Sequence, residues 1–168
     1  MVSVMNALRR TAARTTDSRR GTATVEFAIV APIFLTLALG TWEMGNAVNA
    51  SNNLTAAVRE GGRLASMDFT GMMETDETPN EKVIRDVKAF VSAAGIPAAQ
   101  VTVTITHADG ANAGSTFDLA NDDNYLGLFK IKATVPYSAI SNFPTQFLGG
   151  QTLRAELVCR RGRVSNSE

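Results

Sequence analysis

Glu26 is the residue whose type and position most plainly demand a partner. From Phe27 to Trp42 the chain reads FAIVAPIFLTLALGTW without a charge, and Glu26 stands at the head of that run. A carboxylate held in hydrocarbon costs on the order of a few kcal/mol even on insertion scales, so such a residue marks a cationic partner or a function. Its place near the end of the run also lets it snorkel to an aqueous interface, and that plainer alternative stays open. The other chemically versatile residues stand apart. Cys159 and His107 are each the single residue of their type. One cysteine excludes an intrachain disulfide, and its place on the apolar alternation of a strand suggests a buried small hydrophobe. A zinc site would have to be built largely from carboxylates, and a nucleophile–base–acid set has no convergent members. No enzymatic activity and no cofactor are expected.

The element that must position Glu26 is a helix. At 1.5 Å per residue the uncharged run covers about 24 Å, and about 31 Å when counted from Thr22, close to the thickness of a bilayer's hydrocarbon. Trp42 and Glu43 close it, the indole at the expected interface. Before it lie Arg9, Arg10, Arg14, Arg19 and Arg20 against Asp17 alone. Such a basic leader places the N-terminus in the cytoplasm and everything after Trp42 across the membrane. Pro32 lies mid-run, where a bilayer helix tolerates it with a kink or local loosening. A cleaved secretory signal ending at Ala38-Leu39-Gly40 is an alternative, against which Glu26 and the length of the run speak. Ser18-Arg19-Arg20 resembles a twin-arginine signal, but Gly21-Thr22-Ala23 follows where bulky apolar residues are wanted. A plain uncleaved anchor is the third alternative.

Basic residues, then Gly21, then four residues, then Glu26-Phe27 and an apolar helix resemble the class III signal of type IV prepilins. The wider stretch GTATVEFAIVAPIFLTLALGTWEMG, followed by AAVREGGRLA, is similar to the TadE-like family of the tight-adherence (Tad, or Flp) pilus systems. The matching residues are Gly21, Glu26, Phe27, Pro32, Gly40, Glu43, Gly45, Arg59, Glu60, Gly61 and Arg63, within residues 19–66. Asn46 departs from the pattern, since family members often carry a basic residue there.

The resemblance implies a minor pilin or pseudopilin, cut between Gly21 and Thr22 by a membrane-embedded prepilin peptidase. Its other implied partners are the pilins and pseudopilins of the Tad system and the inner membrane. Cleavage would make Thr22 the N-terminus and set its α-amino cation at the depth of Glu26. In low dielectric a matched pair costs far less than either charge alone, so Glu26 would pair with the amine of a neighbouring subunit. An uncleaved, single-pass anchored envelope protein of a secretion or assembly complex is the alternative function.

Beyond Trp42, Ala47, Ala50, Leu54, Ala57, Gly61 and Leu64 recur at helical spacing, a stripe expected to face the chain's own globular part. Residues 68–81, with Asp68, Glu74, Asp76, Glu77 and Glu81, read as a solvated acidic loop without the EF-hand spacing. A second helix is expected with Asn80 as its cap, with Val83, Ile84, Val87, Phe90 and Val91 inward, and ending at Gly95 and Pro97. Three strands follow. Their inward residues are Val101, Val103 and Ile105; Phe129, Ile131, Ala133 and Val135; and Leu153, Ala155, Leu157 and Cys159. NDDN at 121–124 reads as a turn. The link from Ser138 to Gly150, with Phe143, Pro144 and Phe147, is expected to fold over a sheet edge. The tail GRVSNSE reads as mobile. Two sequons, Asn49-Ala50-Ser51 and Asn53-Leu54-Thr55, fall inside the expected helix.

Charge agrees with this assignment. Sixteen Lys+Arg balance sixteen Asp+Glu over 168 residues, for a net +0, which gives no support to a nucleic-acid partner. The expected class is α+β: a long N-terminal transmembrane helix continuing into a pilin-like domain, with a second helix packed on a small antiparallel sheet. The expected divisions are 1–21, a basic cytoplasmic leader; 22–66, the transmembrane and continuing helix; and 67–168, an extracytoplasmic α+β domain.

Overall fold

The computed structural model describes the backbone of residues 15–67, 73–141 and 148–162, with side chains from Gly21 onward. Four expectations fall wholly or partly outside those residues: the leader arginines Arg9, Arg10 and Arg14; Asp68 and Gly71 of the acidic stretch; Phe143, Pro144 and Phe147 of the link; and the tail beyond Gly162.

Helix α1 runs Thr15–Ala65 with Pro32 inside it. The chain divides into two compact units, at Trp42 and Glu43. In the first unit every residue from Gly21 to Val30 is exposed, as are Ile33, Phe34, Leu35, Leu37 and Trp42. The most apolar 18-residue window of the helix has mean hydropathy 1.9, and none of it is buried. Thr36 and Thr41 sit in this stretch, yet their hydroxyls donate back to the carbonyls of Pro32 and Leu37, each at 2.8 Å. That back-bonding occupies hydroxyl donors that hydrocarbon could not satisfy. A single N-terminal apolar helix of this kind is compatible with a single-pass membrane anchor.

In the second unit α1 changes character. Glu43, Ala47, Ala50, Leu54, Ala57, Val58, Gly61, Gly62 and Ala65 are buried. The small-residue stripe therefore faces this unit's own core, and Val58, Gly62 and Ala65 widen it. Helix α2, Pro79–Ala93, lies against it and buries Val83, Val87 and Val91. Two expectations about α2 need correcting. Its N-cap is Thr78, whose hydroxyl accepts from the Glu81 backbone N–H, while the Glu81 carboxylate accepts from the Thr78 N–H at 2.8 Å. This capping box, with Pro79 at the first helical position, satisfies the free amides more completely than Asn80 alone could. Phe90, expected inward, is 45% exposed, because the buried face follows the i, i+4, i+8 line of valines and Phe90 falls beside it. At the other end Gly95 takes φ 83°, and the Gly95 and Ile96 N–H groups donate to the carbonyls of Ser92 and Val91. The helix thus ends in a Schellman turn, sealed by buried Ile96.

Strands β1 (Thr102–His107), β2 (Leu128–Pro136) and β3 (Thr152–Arg160) form an antiparallel sheet in the order β1-β2-β3. Phe129, Ile131, Ala133 and Val135 of the central strand are fully buried. Each large side chain so buried stabilises the unit by roughly 1.5–3 kcal/mol relative to exposure. Leu153, Leu157 and Cys159 of β3 are only partly buried, because β3 lies at the margin of the sheet. The architecture is the expected α+β arrangement of a long helix, a second helix and a three-stranded antiparallel sheet.

Between β1 and β2 the chain folds back on itself. The NDDN segment is a short 3-10 turn, Asp122–Asn124, capped by the Asn121 side chain. Phe117 and Leu119 are buried in the core, the Phe117 ring lying tilted against Phe129 with centroids 5.3 Å apart. The Asn80 side chain holds this segment, donating to Phe117 O at 2.7 Å and accepting from Leu119 N at 2.9 Å.

Candidate functional site

The residues singled out in the sequence separate into two groups. Gly21, Thr22, Glu26, Phe27 and Pro32 lie on α1 within the first unit. Phe27 is exposed, and a side chain at Gly21 would meet nothing within 4 Å. Gly40 belongs to the same stretch, half-buried. Along this length α1 presents an apolar surface that makes no core contact of its own, with Glu26 near one end. Such a surface suits lipid or the equivalent helices of other subunits. Gly21–Thr22 lies inside the helix rather than in an extended chain.

Glu43 belongs to the second unit and is only 8% exposed. Its carboxylate Oε1 accepts from the Leu148 N–H at 3.0 Å, and its main-chain carbonyl accepts from the Tyr137 hydroxyl at 3.0 Å. The carboxylate thus fastens the segment entering β3, and the phenol fastens the end of β2, to the start of this part of the helix. The Leu148 backbone amide is thus one donor to this carboxylate. Burial, and then the nearby Glu43 charge, push the Tyr137 phenol above its ordinary pKa, against the opposing effect of a Ser141 hydrogen bond.

Gly61 and Gly62 let two layers approach α1. A Cβ on Gly61 would overlap Val87 Cγ2 of α2, and one on Gly62 would fall 2.7 Å from Cys159 Sγ and 2.9 Å from Leu157 Cδ2 of β3. No side chain fits at either place, which is the physical reason for the pair. Gly45, by contrast, has open space around it. Glu60 and Arg63 form an exposed ion pair one turn apart, with Arg63 Nε donating to Glu60 Oε1 at 3.0 Å. Arg59 is exposed beside them.

The remaining candidates are structural. Cys159 is partly buried against Gly62, and burial pushes its thiol pKa up, away from reactive thiolate character. His107 packs against Phe117 in a tilted contact, with ring centroids 4.7 Å apart and the planes inclined at 58°. Glu74, Asp76 and Glu81 of the acidic stretch are exposed, as expected of a solvated loop, while Glu77 is drawn against α2. The Arg85 guanidinium of α2 lies between Glu74 and Glu77, with Nη2 donating to Glu77 Oε2 at 3.0 Å. Arg85 Nε also lies 3.0 Å from Glu77 Oε1, a Coulombic contact without hydrogen-bond alignment. No group of His, Cys, Asp and Glu among the described residues could hold a metal ion.

Arg161 is a residue that sequence reasoning missed. It is 6% exposed, and its guanidinium donates to the Asn121 carbonyl and lies 3.7 Å from Asp122 Oδ1. Beside it Gly162, expected in a mobile tail, packs so closely on the Ser66 carbonyl that a Cβ would overlap it. The rest of that tail lies outside the described residues.

Comparison with known proteins bears on the first group and the start of the second. Residues 21–63 match the family model described as TadE-like protein. The matched stretch covers Gly21 through the Glu60–Arg63 pair, the same residues on which the resemblance was read. The match spans about a quarter of the chain and shows what that stretch is similar to. No curated protein and no solved structure matches the chain.

Proposed function

We propose that this protein is a minor pilin or pseudopilin that contributes to assembly of a Tad/Flp-type adhesion pilus, after a prepilin peptidase has cut between Gly21 and Thr22. The observation that carries this reading is the TadE-like stretch lying on an uncovered apolar helix headed by Glu26. An uncovered apolar face needs lipid or like helices around it, and an acid at its head needs a cation. Cleavage supplies that cation as the Thr22 amine, so a subunit acquires its neighbour's counter-charge only once it has been processed. The proposed setting is the bacterial inner membrane, with the basic leader cytoplasmic, the α+β domain across the membrane, and later incorporation in a surface pilus. The proposed role is non-enzymatic, needs no cofactor and involves no nucleic acid. Its partners are the peptidase, the membrane, and the other pilins or pseudopilins.

A second reading is a permanently anchored envelope protein of a secretion or assembly complex. The helical backbone through Gly21 favours it, since a protease cleft takes an extended chain. Intact-mass measurement on protein extracted from membranes separates the two. The pilin reading expects Thr22 as the first residue; a chain that keeps its arginine leader removes it.

A further inference from the structure

The two ends of the second unit differ in charge. One end is set by Glu43, whose carboxylate accepts from the Leu148 amide and whose carbonyl accepts from the Tyr137 hydroxyl. Tyr137 follows Pro136, the last residue of β2, which pairs with Thr152 at the start of β3. β1 begins at the same end, with Thr102 opposite Thr134, and α2 arrives there through Gly95 and Ile96. Asn80 marks the opposite end. It binds Phe117 and Leu119, and the Phe117 N–H donates to Ile105 O near the end of β1. The described segments that meet at the Glu43 end carry no charge. Residues 44–58, 89–106, 133–141 and 148–153 contain no Asp, Glu, Lys or Arg, in a chain that is 19% charged. Glu43 itself is buried. At the other end Asp76, Asp109, Asp118, Asp122 and Asp123 are all exposed. Exposed apolar side chains occur at both ends, Met44 and Val48 at one and Tyr125 and Leu126 at the other. Charge, not hydrophobicity, separates them.

Charged side chains ordinarily cover surfaces that face bulk water, since each loses hydration wherever another phase comes close. A surface without them approaches such a phase at little cost. What comes close is fixed by the chain itself, because a single peptide bond joins Glu43 to Trp42, where the apolar run stops. We infer that the uncharged end is a membrane-facing surface, seated on the lipid headgroups of the bilayer that the helix enters. Ser138, Gln151 and Thr152 are exposed there. Such polar groups find hydrogen-bond partners among headgroups and none in hydrocarbon, so this end rests on the bilayer without inserting. Tethering holds the surface at a high local concentration of lipid, and a weak preference is then enough. On the sheet, the first charge met from this end is the exposed Arg154, a cation that phosphate headgroups attract. The acidic end acts in the same sense, because an anionic bilayer repels it. Lipid headgroups are thus the occupant that both ends select. The inference rests on the membrane anchoring in the proposed function and not on cleavage after Gly21.

The test uses the full chain carrying Cys159→Ala, reconstituted in vesicles of phosphatidylethanolamine and phosphatidylglycerol that include a lipid with a nitroxide headgroup. A fluorophore is attached through Ala99→Cys, at the uncharged end, or through Ala111→Cys, at the acidic end; both positions are exposed. Position 99 lies on the connection from α2 to β1, so its quenching reads the seating of the surface as well as the tether at Glu43. Quenching at 99 is expected to be severalfold stronger than at 111. Ser138→Glu combined with Gln151→Glu adds two carboxylates to the surface away from the label, and should lower quenching at 99 severalfold while the circular dichroism is kept. Ala120→Glu, at the acidic end, should leave it unchanged. Equal quenching at 99 and 111 would overturn the inference, as would full quenching at 99 in the doubly acidic variant. A label at 99 that is shielded from water yet not quenched by the lipid would give the surface to another protein, and would overturn it too. Flotation with the vesicles separates this inference from the reading beneath it. A chain that floats without the quenching loses the inference alone, whereas one that does not float loses the anchored reading with it.

Discussion

Residues 21–42 and residues 43–65 belong to one continuous helix, yet their side chains meet opposite fates. The first stretch is the more apolar, and none of its most apolar window is buried. The second carries Arg59, Glu60, Arg63 and several asparagines, and it supplies much of the core through Leu54, Ala57 and Val58. Composition therefore tells which solvent a helix tolerates, whereas spacing tells whether it packs. In the second stretch small residues at intervals of three and four let α2 and β3 approach, and a complementary layer exists to meet them. In the first, the large side chains Val25, Phe27, Ile29, Ile33, Phe34, Leu35 and Leu37 are exposed.

The sharpest way to break this contrast is to fill the close approach. Gly61→Leu should destabilise the second unit by about 3 kcal/mol or more, because the new side chain displaces Val87 from a packed layer. Thermal melting in detergent reads the loss. Leu54→Ala comes next, at about 2–5 kcal/mol for a fully buried leucine. Its counterpart Leu37→Ala, in the exposed stretch, should leave the melting of the second unit unchanged. Equal effects from the two leucines would erase the distinction drawn between the stretches.

Glu43→Ala should cost about 1–3 kcal/mol, since it leaves the Leu148 amide without its acceptor. Glu43→Gln keeps a carbonyl acceptor there and should lose less. Tyr137→Phe removes the bond to the Glu43 carbonyl, for about 1 kcal/mol. The phenol also imposes a pH dependence. Its folded pKa is raised, so above the ordinary tyrosine value near 10 the unfolded chain has released a proton that the folded chain still holds. Stability from this group is complete below that pH and falls as pH rises through the raised value. Tyr137→Phe should flatten the alkaline limb of a stability–pH curve. Smallest is Gly45→Ala, in open space on the helix, expected to stabilise by about 0.5–1 kcal/mol through helix propensity.

The elements that depend on local pattern were legible in the sequence. The apolar run, the small-residue stripe and the alternation of Phe129, Ile131, Ala133 and Val135 each repeat a fixed period, and each lies where that period puts it. What escaped was held by partners distant along the chain. Asn80 looks like a helix cap because it sits beside the helix start, but its partners are Phe117 and Leu119, 37 and 39 residues away. Arg161 belongs to no pattern in the sequence, and only Asn121, 40 residues earlier, shows what it holds. Glu43 was legible as a motif residue, while its hold on Leu148, 105 residues on, was not. Phe117 lies in a Gly-rich stretch without periodicity, and only the fold-back onto β1 buries it. Within the candidate site, Glu26 was legible by type and position alone, since an acid against an apolar run needs no tertiary contact to stand out.

The central claim is that Glu26 serves contact between subunits rather than the fold of its own. Counting surface pili in cells whose chromosomal copy carries Glu26→Ala, alongside membrane fractionation of the variant, tests it most directly. The expected result is a protein still inserted and stable in the membrane but with pili sharply reduced. Wild-type pilus numbers and adhesion in that strain would contradict it.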